Sequence, residues 1–254
     1  MINVLDRAFD SPLELEEKAA MLFAGGIMQH GYQCGMIWGA ALAGGAEAYR
    51  RHGPGPKAEI RAINAARSLV ESFRGRHDEI NCFEITEIDK SSSTWKMINH
   101  FFIKGGSLEC LRMAAWYAPL AYDEINSALS EEGVETPSPP VSCAALLARK
   151  MGESDELAVM ASGLAGGIGL CGGGCGALGA AIWILGIKRG REKGGKIGYN
   201  APSAQDVVDR FTKYTDFRFE CSEIVGRTFD DVEDHAAYLR DGGCSGLIEA
   251  LASE

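Results

Sequence analysis

The chain has 254 residues, 46% of them hydrophobic, enough for one large domain or for two units that each bury a core. Its 25 basic and 35 acidic residues leave a formal charge of −10, which excludes nucleic acid and anionic membrane surfaces unless some face concentrates Lys and Arg. One short basic run, Lys188 to Lys196, lacks aromatic interleaving and is expected to be a solvated loop.

The first segment has carboxylates ahead of its first apolar stretch, without the order of a secretory signal, so a cytoplasmic protein is expected. Ser11-Pro12 followed by Glu14 reads as a helix cap, an N1 proline and a capping-box glutamate. Ala19 to Ala46 is uncharged apart from His30. Glu131 to Val141 combines Pro, Ser and Gly without apolar periodicity and predicts a linker, giving units 1–135 and 136–254. Leu157 to Ile187 is again free of charge and holds ten glycines. At about 1 kcal/mol of helix propensity per glycine, a membrane span is disfavoured. The segment predicts a helix, a tight glycine loop that brings backbone close to some other group, and a second helix. Ser203 with Asp206 and the periodic Val207, Val208 and Phe211 starts another helix, and Tyr238-Leu239 running into Gly242-Gly243 ends one. Alternating β-branched runs are absent, so the expectation is an all-α, bundle-like fold of roughly ten helices at typical lengths.

The halves match each other. Ala24-Gly25-Gly26-Ile27 and Cys34-Gly35 recur as Ala165-Gly166-Gly167-Ile168 and Cys175-Gly176 at a constant offset of 141. Cys82-Phe83-Glu84-Ile85 recurs as Cys221-Ser222-Glu223-Ile224, and Gly105-Gly106 before Cys110 as Gly242-Gly243 before Cys244. Three matches in one order indicate an internal duplication into two diverged, pseudo-symmetric repeats.

Eight widely spaced cysteines do not make the rhythm of a disulfide-stapled secreted domain. No C-x-x-C-H or C-x-x-C string occurs, so covalent haem, thioredoxin-like chemistry and zinc knuckles are not expected. Cys143, Cys221 and Cys244 each precede apolar residues at i+3 and i+4, and these three with Cys175 sit near predicted helix starts. A helix amino terminus favours the thiolate, the form that ligates metals and attacks disulfides. The competing reading is packing alone, because free cysteine is a small hydrophobe.

Ser142-Cys143-Ala144-Ala145, Gly174-Cys175-Gly176-Ala177-Leu178-Gly179, Phe219-Glu220-Cys221 and Cys244 resemble the redox-active family named for its pattern C_GCAxxG_C_C. The resemblance spans most of residues 140–254, with Gly176 standing where the pattern has alanine. The first half resembles a degraded copy: Cys34, Cys82 and Cys110 stand for three cysteines, and the first has no counterpart. The fold is also similar to the non-haem part of split-Soret cytochromes, with which an iron–sulfur centre is associated. The resemblance implies converging Cys143, Cys175, Cys221 and Cys244 as a catalytic or metal-ligating set, holding an iron–sulfur cluster or another metal. Cys171, Cys34 and His30 are auxiliary cofactor-binding candidates, His30 and Cys171 being matched at the offset of 141. Glu84 and Glu223, matched two residues after a cysteine, could support a ligand through a hydrogen bond.

His52, His77 and His235 adjoin charged residues and are expected at the surface, and His100 in the core. No G-x-S-x-G or H-E-x-x-H occurs, and Gly190 to Lys196 has Ile197 where a Walker loop needs Ser or Thr. The expected function is electron transfer or thiol redox chemistry. The alternatives are a non-catalytic, helical small-ligand or metal-handling protein, or a thiol–disulfide protein without metal. Expected partners are a redox protein and a second copy of the chain in a homodimer, with no nucleic acid and no membrane insertion.

Overall fold

A computed structural model describes residues 1–133, 137–192, 194, 197 and 202–253. Each repeat builds the same seven α-helices in the same order. In the first they are α1 (Ile2–Ala8), α2 (Glu14–Ala19), α3 (Gly35–His52), α4 (Pro56–Arg74), α5 (Cys82–Thr86), α6 (Thr94–Ile98) and α7 (Gly106–Ser130). In the second they are α8 (Cys143–Lys150), α9 (Asp155–Ser162), α10 (Gly176–Glu192), α11 (Pro202–Tyr214), α12 (Cys221–Val225), α13 (Val232–Arg240) and α14 (Ser245–Ala252). The starts of α1 and α8, α2 and α9, and α3 and α10 differ by the 141 residues read from the sequence. The all-α expectation holds. Fourteen described helices replace the expected ten because several, α5, α6 and α12 among them, are single turns of five residues.

Three local expectations shift. The predicted start at Pro12 moves to Glu14, because the Leu13 N–H is taken by the Glu17 carboxylate (3.0 Å) instead of a serine cap. Lys188 to Glu192 is the last turn of α10 rather than loop, with Lys188 donating to the Met151 carbonyl and Arg191 paired with Glu153. The rest of that basic run, and part of the predicted linker at 134–136, lie outside the described residues. What is described between α7 and α8 carries no helix, and Pro139-Pro140 is cis.

The repeats share one continuous core, and their second helices are exchanged. α2 of the first packs on α10 of the second, while α9 of the second packs on α3 and α4 of the first. Trp183 of α10 donates its indole N–H to the Glu16 carbonyl on α2 (3.0 Å). No described helix is long and apolar enough to cross a membrane.

Both glycine segments form the same loop. Residues 25–29 and 166–170 all have positive φ, including Ile27, Met28, Gln29, Ile168 and Leu170, which carry Cβ atoms. Left-handed backbone costs such residues about 1–2 kcal/mol each. It is held by burial of Ile27 and Ile168 and by matched bonds from Gly31 to Gly25 and from Gly172 to Gly166, both 2.9 Å.

At the contact between repeats, matched positions hold opposite sizes. Gln33 corresponds to Gly174 and Trp38 to Gly179 at the offset of 141, and each large side chain lies where its counterpart glycine lacks one. The Gly174 N–H donates to Gln33 Oε1 (2.6 Å), and a Cβ on Gly179 would enter the Trp38 ring. The group that the second glycine loop approaches is therefore the first repeat.

Candidate functional site

Two short backbone pairings set the cysteines. In the second repeat Gly174 bridges Glu220, Cys175 N–H donates to Phe219 O (3.0 Å) and Cys221 N–H to Gly173 O (2.6 Å). The first repeat reproduces this with a Gln33–Asn81 bridge, Cys34 N–H to Ile80 O and Cys82 N–H to Tyr32 O, both 2.8 Å. A loop before one helix is thus tied to a loop before another, which places two cysteines side by side at two helix starts.

The other two cysteines of the second repeat are set by caps. Ser142 caps α8, accepting from the Ala145 N–H (3.1 Å), and leaves Cys143 as its first residue. Cys244 is the N-cap of α14, with φ of +60°. Cys143, Cys175 and Cys221 are buried and Cys244 half-buried.

These four sulfurs lie within electrostatic reach of one another. Burial pushes all four thiols up, Cys175 to about 12. Charge on Cys175, Cys143 and Cys244 adds to the rise at Cys221, and charge on Cys244 and Cys175 to that at Cys143. Main-chain N–H groups oppose this: those of Gly166 and Ala144 face the Cys143 sulfur, and those of Leu178 and Ala177 face Cys175. The left-handed loop carries Gly166, so its strained backbone delivers a donor to the first cysteine. Burial outweighs the helix-start effect expected from sequence, and the thiols are protonated near neutral pH. Among the described residues no three His, Cys, Asp or Glu side chains stand at ligand spacing for a metal ion.

Cys34, Cys82 and Cys110 make a parallel but incomplete set. Burial, then charge on Cys82 and Cys110, raises the Cys34 thiol to about 12. The position of the missing cysteine is Ile2, first residue of α1 and buried, as Cys143 is first in α8. Cys110 is not in register with Cys244: it lies four residues after Gly106, whereas Cys244 directly follows Gly243. A cavity of about 460 Å³ opens beside Cys110 alone of the three, lined also by His77, His100, Met113, Trp116 and Thr86.

The auxiliary candidates stand elsewhere. The Cys171 sulfur bonds the Gly169 carbonyl (3.5 Å), and the charges acting on it are Arg74, Arg67 and Glu71 of α4 rather than the four cysteines. His30 packs toward Phe219 with its Nε2 buried, and the charges acting on it are Lys90, Asp209 and Asp89. Glu84 and Glu223 line one opening together with Tyr32, Phe219 and Glu220, at the contact between repeats.

Two residues near the four cysteines escape sequence reasoning. Tyr238 accepts from the Cys244 thiol (3.9 Å) and is raised to about 12 by burial and by charge on Cys244. Its ring covers Gly243, and its position before Gly-Gly-Cys is the signal that could have marked it. His235, expected at the surface, is 2% exposed: its Nδ1 meets the Val141 carbonyl (3.0 Å), fastening α13 to the segment that leads into Cys143. The charged neighbours Asp234 and Glu233 point outward from the same helix, which is why sequence adjacency misleads. His52 and His77 are half-buried, His77 stacked on Trp116, and the imidazole of His100 is half-buried with Nε2 inside.

No curated protein and no solved structure matches the chain. The family model described as "Putative redox-active protein (C_GCAxxG_C_C)" matches residues 1–122 and again residues 141–253. With both repeats matched and the four cysteines of the second at four helix starts, the chain belongs to the C_GCAxxG_C_C family as a tandem of two copies.

Proposed function

We propose that Cys143, Cys175, Cys221 and Cys244 form one redox centre that works by electron transfer through a thiolate-bound metal or iron–sulfur cluster. The observation that carries this reading is four cysteines at helix starts, three buried and one half-buried, whose charges act on one another, with backbone N–H groups directed at two of them. The donor set matches such a group in kind and number, since clusters and structural zinc are held by four cysteines, and binding would draw the four sulfurs together from a spacing that is wider than a metal ion requires. Thiolates this close together repel one another, and a bound cation would offset that repulsion with its own charge and so favour their deprotonation. A cluster would supply one-electron storage, tuned by the N–H groups and by Tyr238 beside Cys244. Thiols this far above neutral supply little thiolate for disulfide exchange, which places the metal-free thiol–disulfide reading second.

The test is anaerobic purification followed by an absorption spectrum and iron, zinc and acid-labile sulfide assays on one sample. Charge-transfer bands with iron and sulfide, lost in Cys175→Ser, are expected. A colourless, metal-free protein whose free-thiol count falls by two on oxidation would replace the cluster with a disulfide couple.

A further inference from the structure

The two repeats end in equivalent helix pairs that differ in what they show to solvent. In the second, α13 and α14 bury His235, Ala236, Leu239, Leu247, Ile248 and Leu251, and expose no large hydrophobic side chain among the described residues. In the first, α6 and the π-helical turn Asn99–Ile103 bury nothing, and they run into α7 with six large apolar side chains in water. Trp95 is 69% exposed, Ile98 42%, Phe102 81%, Ile103 65%, Leu108 51% and Leu111 67%. Trp95, Ile98 and Phe102 recur at i, i+3 and i+7, so they line one face of the turn, and Leu108 with Leu111 lines the adjoining face of α7. Singly exposed hydrophobics need no explanation, but six within 17 residues do.

Charge changes sign with them. Residues 94–112 carry Lys96, Lys104 and Arg112 against Glu109, all exposed, in a chain of net charge −10. The equivalent stretch 232–250 carries Glu233, Asp234, Asp241 and Glu249 against Arg240.

We propose that this face of the first repeat docks on the surface of an anionic lipid bilayer, with Trp95, Phe102, Ile103, Leu108 and Leu111 entering the headgroup region and Lys96, Lys104 and Arg112 meeting lipid phosphates. Short helices with a Trp- and Phe-bearing apolar face and flanking lysines bind in the plane of the interface. Because α6 and the π-helical turn contribute no buried side chain, they can sink into lipid without opening the core. A second copy of the chain fits less well. Isologous pairing would set cations against cations, and pairing with the acidic remainder of another copy is heterologous and leads to open chains.

The test is flotation of the full chain with vesicles of phosphatidylcholine alone and of phosphatidylcholine with 30% phosphatidylglycerol. Binding to the anionic vesicles, weakened by salt, is expected. Lys96→Gln with Lys104→Gln should lower the partition coefficient about 25-fold on anionic vesicles, at about fivefold per charge, and leave the zwitterionic result unchanged. Trp95→Ala with Phe102→Ala should lower it at least about tenfold on both. All four positions are solvent-exposed, so thermal unfolding should not move. No binding by the folded chain, binding that survives both double variants, or a solution dimer that Phe102→Ala takes apart would overturn the proposal.

Discussion

The two repeats follow one chain path and divide the work between them. At matched positions the first holds Gln33 and Trp38 where the second holds Gly174 and Gly179, and the second holds Cys143 where the first holds Ile2. The first repeat supplies bulk and the second supplies sulfur. Duplication creates a twofold contact at which identical residues would meet. Divergence into a large residue on one side and glycine on the other lets the helices approach closely, as large-to-small alternation does in any packed interface. Glycine in the second repeat is thus the complement of the first repeat's side chains. That explains how an uncharged, glycine-rich segment can be almost wholly buried against the other repeat.

The sharpest way to break the comparison is to remove matched cysteines. Cys175→Ser should abolish the metal or redox signal of the chain, while Cys82→Ser should leave that signal in place and cost only packing, read by metal content and by thermal unfolding of both variants. Equal losses at both positions would show that the repeats are not functionally divided.

Size complementarity can be tested next. Gly179→Ala places a methyl group in the Trp38 ring and should cost about 3 kcal/mol, at the upper end for overpacking, in chemical denaturation. Adding Trp38→Leu should recover part of that loss although Trp38→Leu alone destabilises, a coupling that independent sites would not give.

A smaller effect concerns Asp6, which is 2% exposed and matches the buried Leu147 of the second repeat. Burial, with the nearby Glu17 and Glu16, raises its carboxyl to about 7 from an ordinary 3.8, and its Oδ2 has no partner. The folded state therefore favours the neutral acid. The stability this gives is fully present below about pH 4 and is lost as the pH rises through 7. Asp6→Asn should accordingly raise the melting temperature by several degrees at pH 8 and leave it unchanged at pH 3.5, with the difference growing between those values. A pH-independent difference would place the effect in packing.

The smallest expected effect is that of Tyr238→Phe. It removes only the hydroxyl that accepts from Cys244. Stability should change by less than about 1 kcal/mol, while the midpoint of the redox titration moves, since hydrogen bonds beside the sulfurs set the potential. A midpoint unchanged within error would make Tyr238 a packing residue over Gly243.

Much of this molecule was legible in one dimension. Helix content, the duplication at an offset of 141, and the placement of Cys143, Cys175, Cys221 and Cys244 at helix starts all follow from short-range pattern. Caps, glycines and apolar periodicity act within a few residues, and a duplicated chain repeats them in register. Other features were decided by packing between segments far apart in sequence. Cys171 is an auxiliary candidate by its place four residues before Cys175, and in the fold its sulfur bonds the Gly169 carbonyl and feels the charges of Arg74, Arg67 and Glu71 on α4. His235 looked solvated beside Asp234, but α13 presents it to the segment before Cys143. Tyr238 gave no signal except its place before Gly242-Gly243, because its role depends on α13 returning over the start of α14. Local sequence sets where a helix begins and which residues can share a face. Which side chain fills which glycine, and which sulfur meets which, is fixed only when helices from the two repeats cross, because close packing depends on the shapes of both partners.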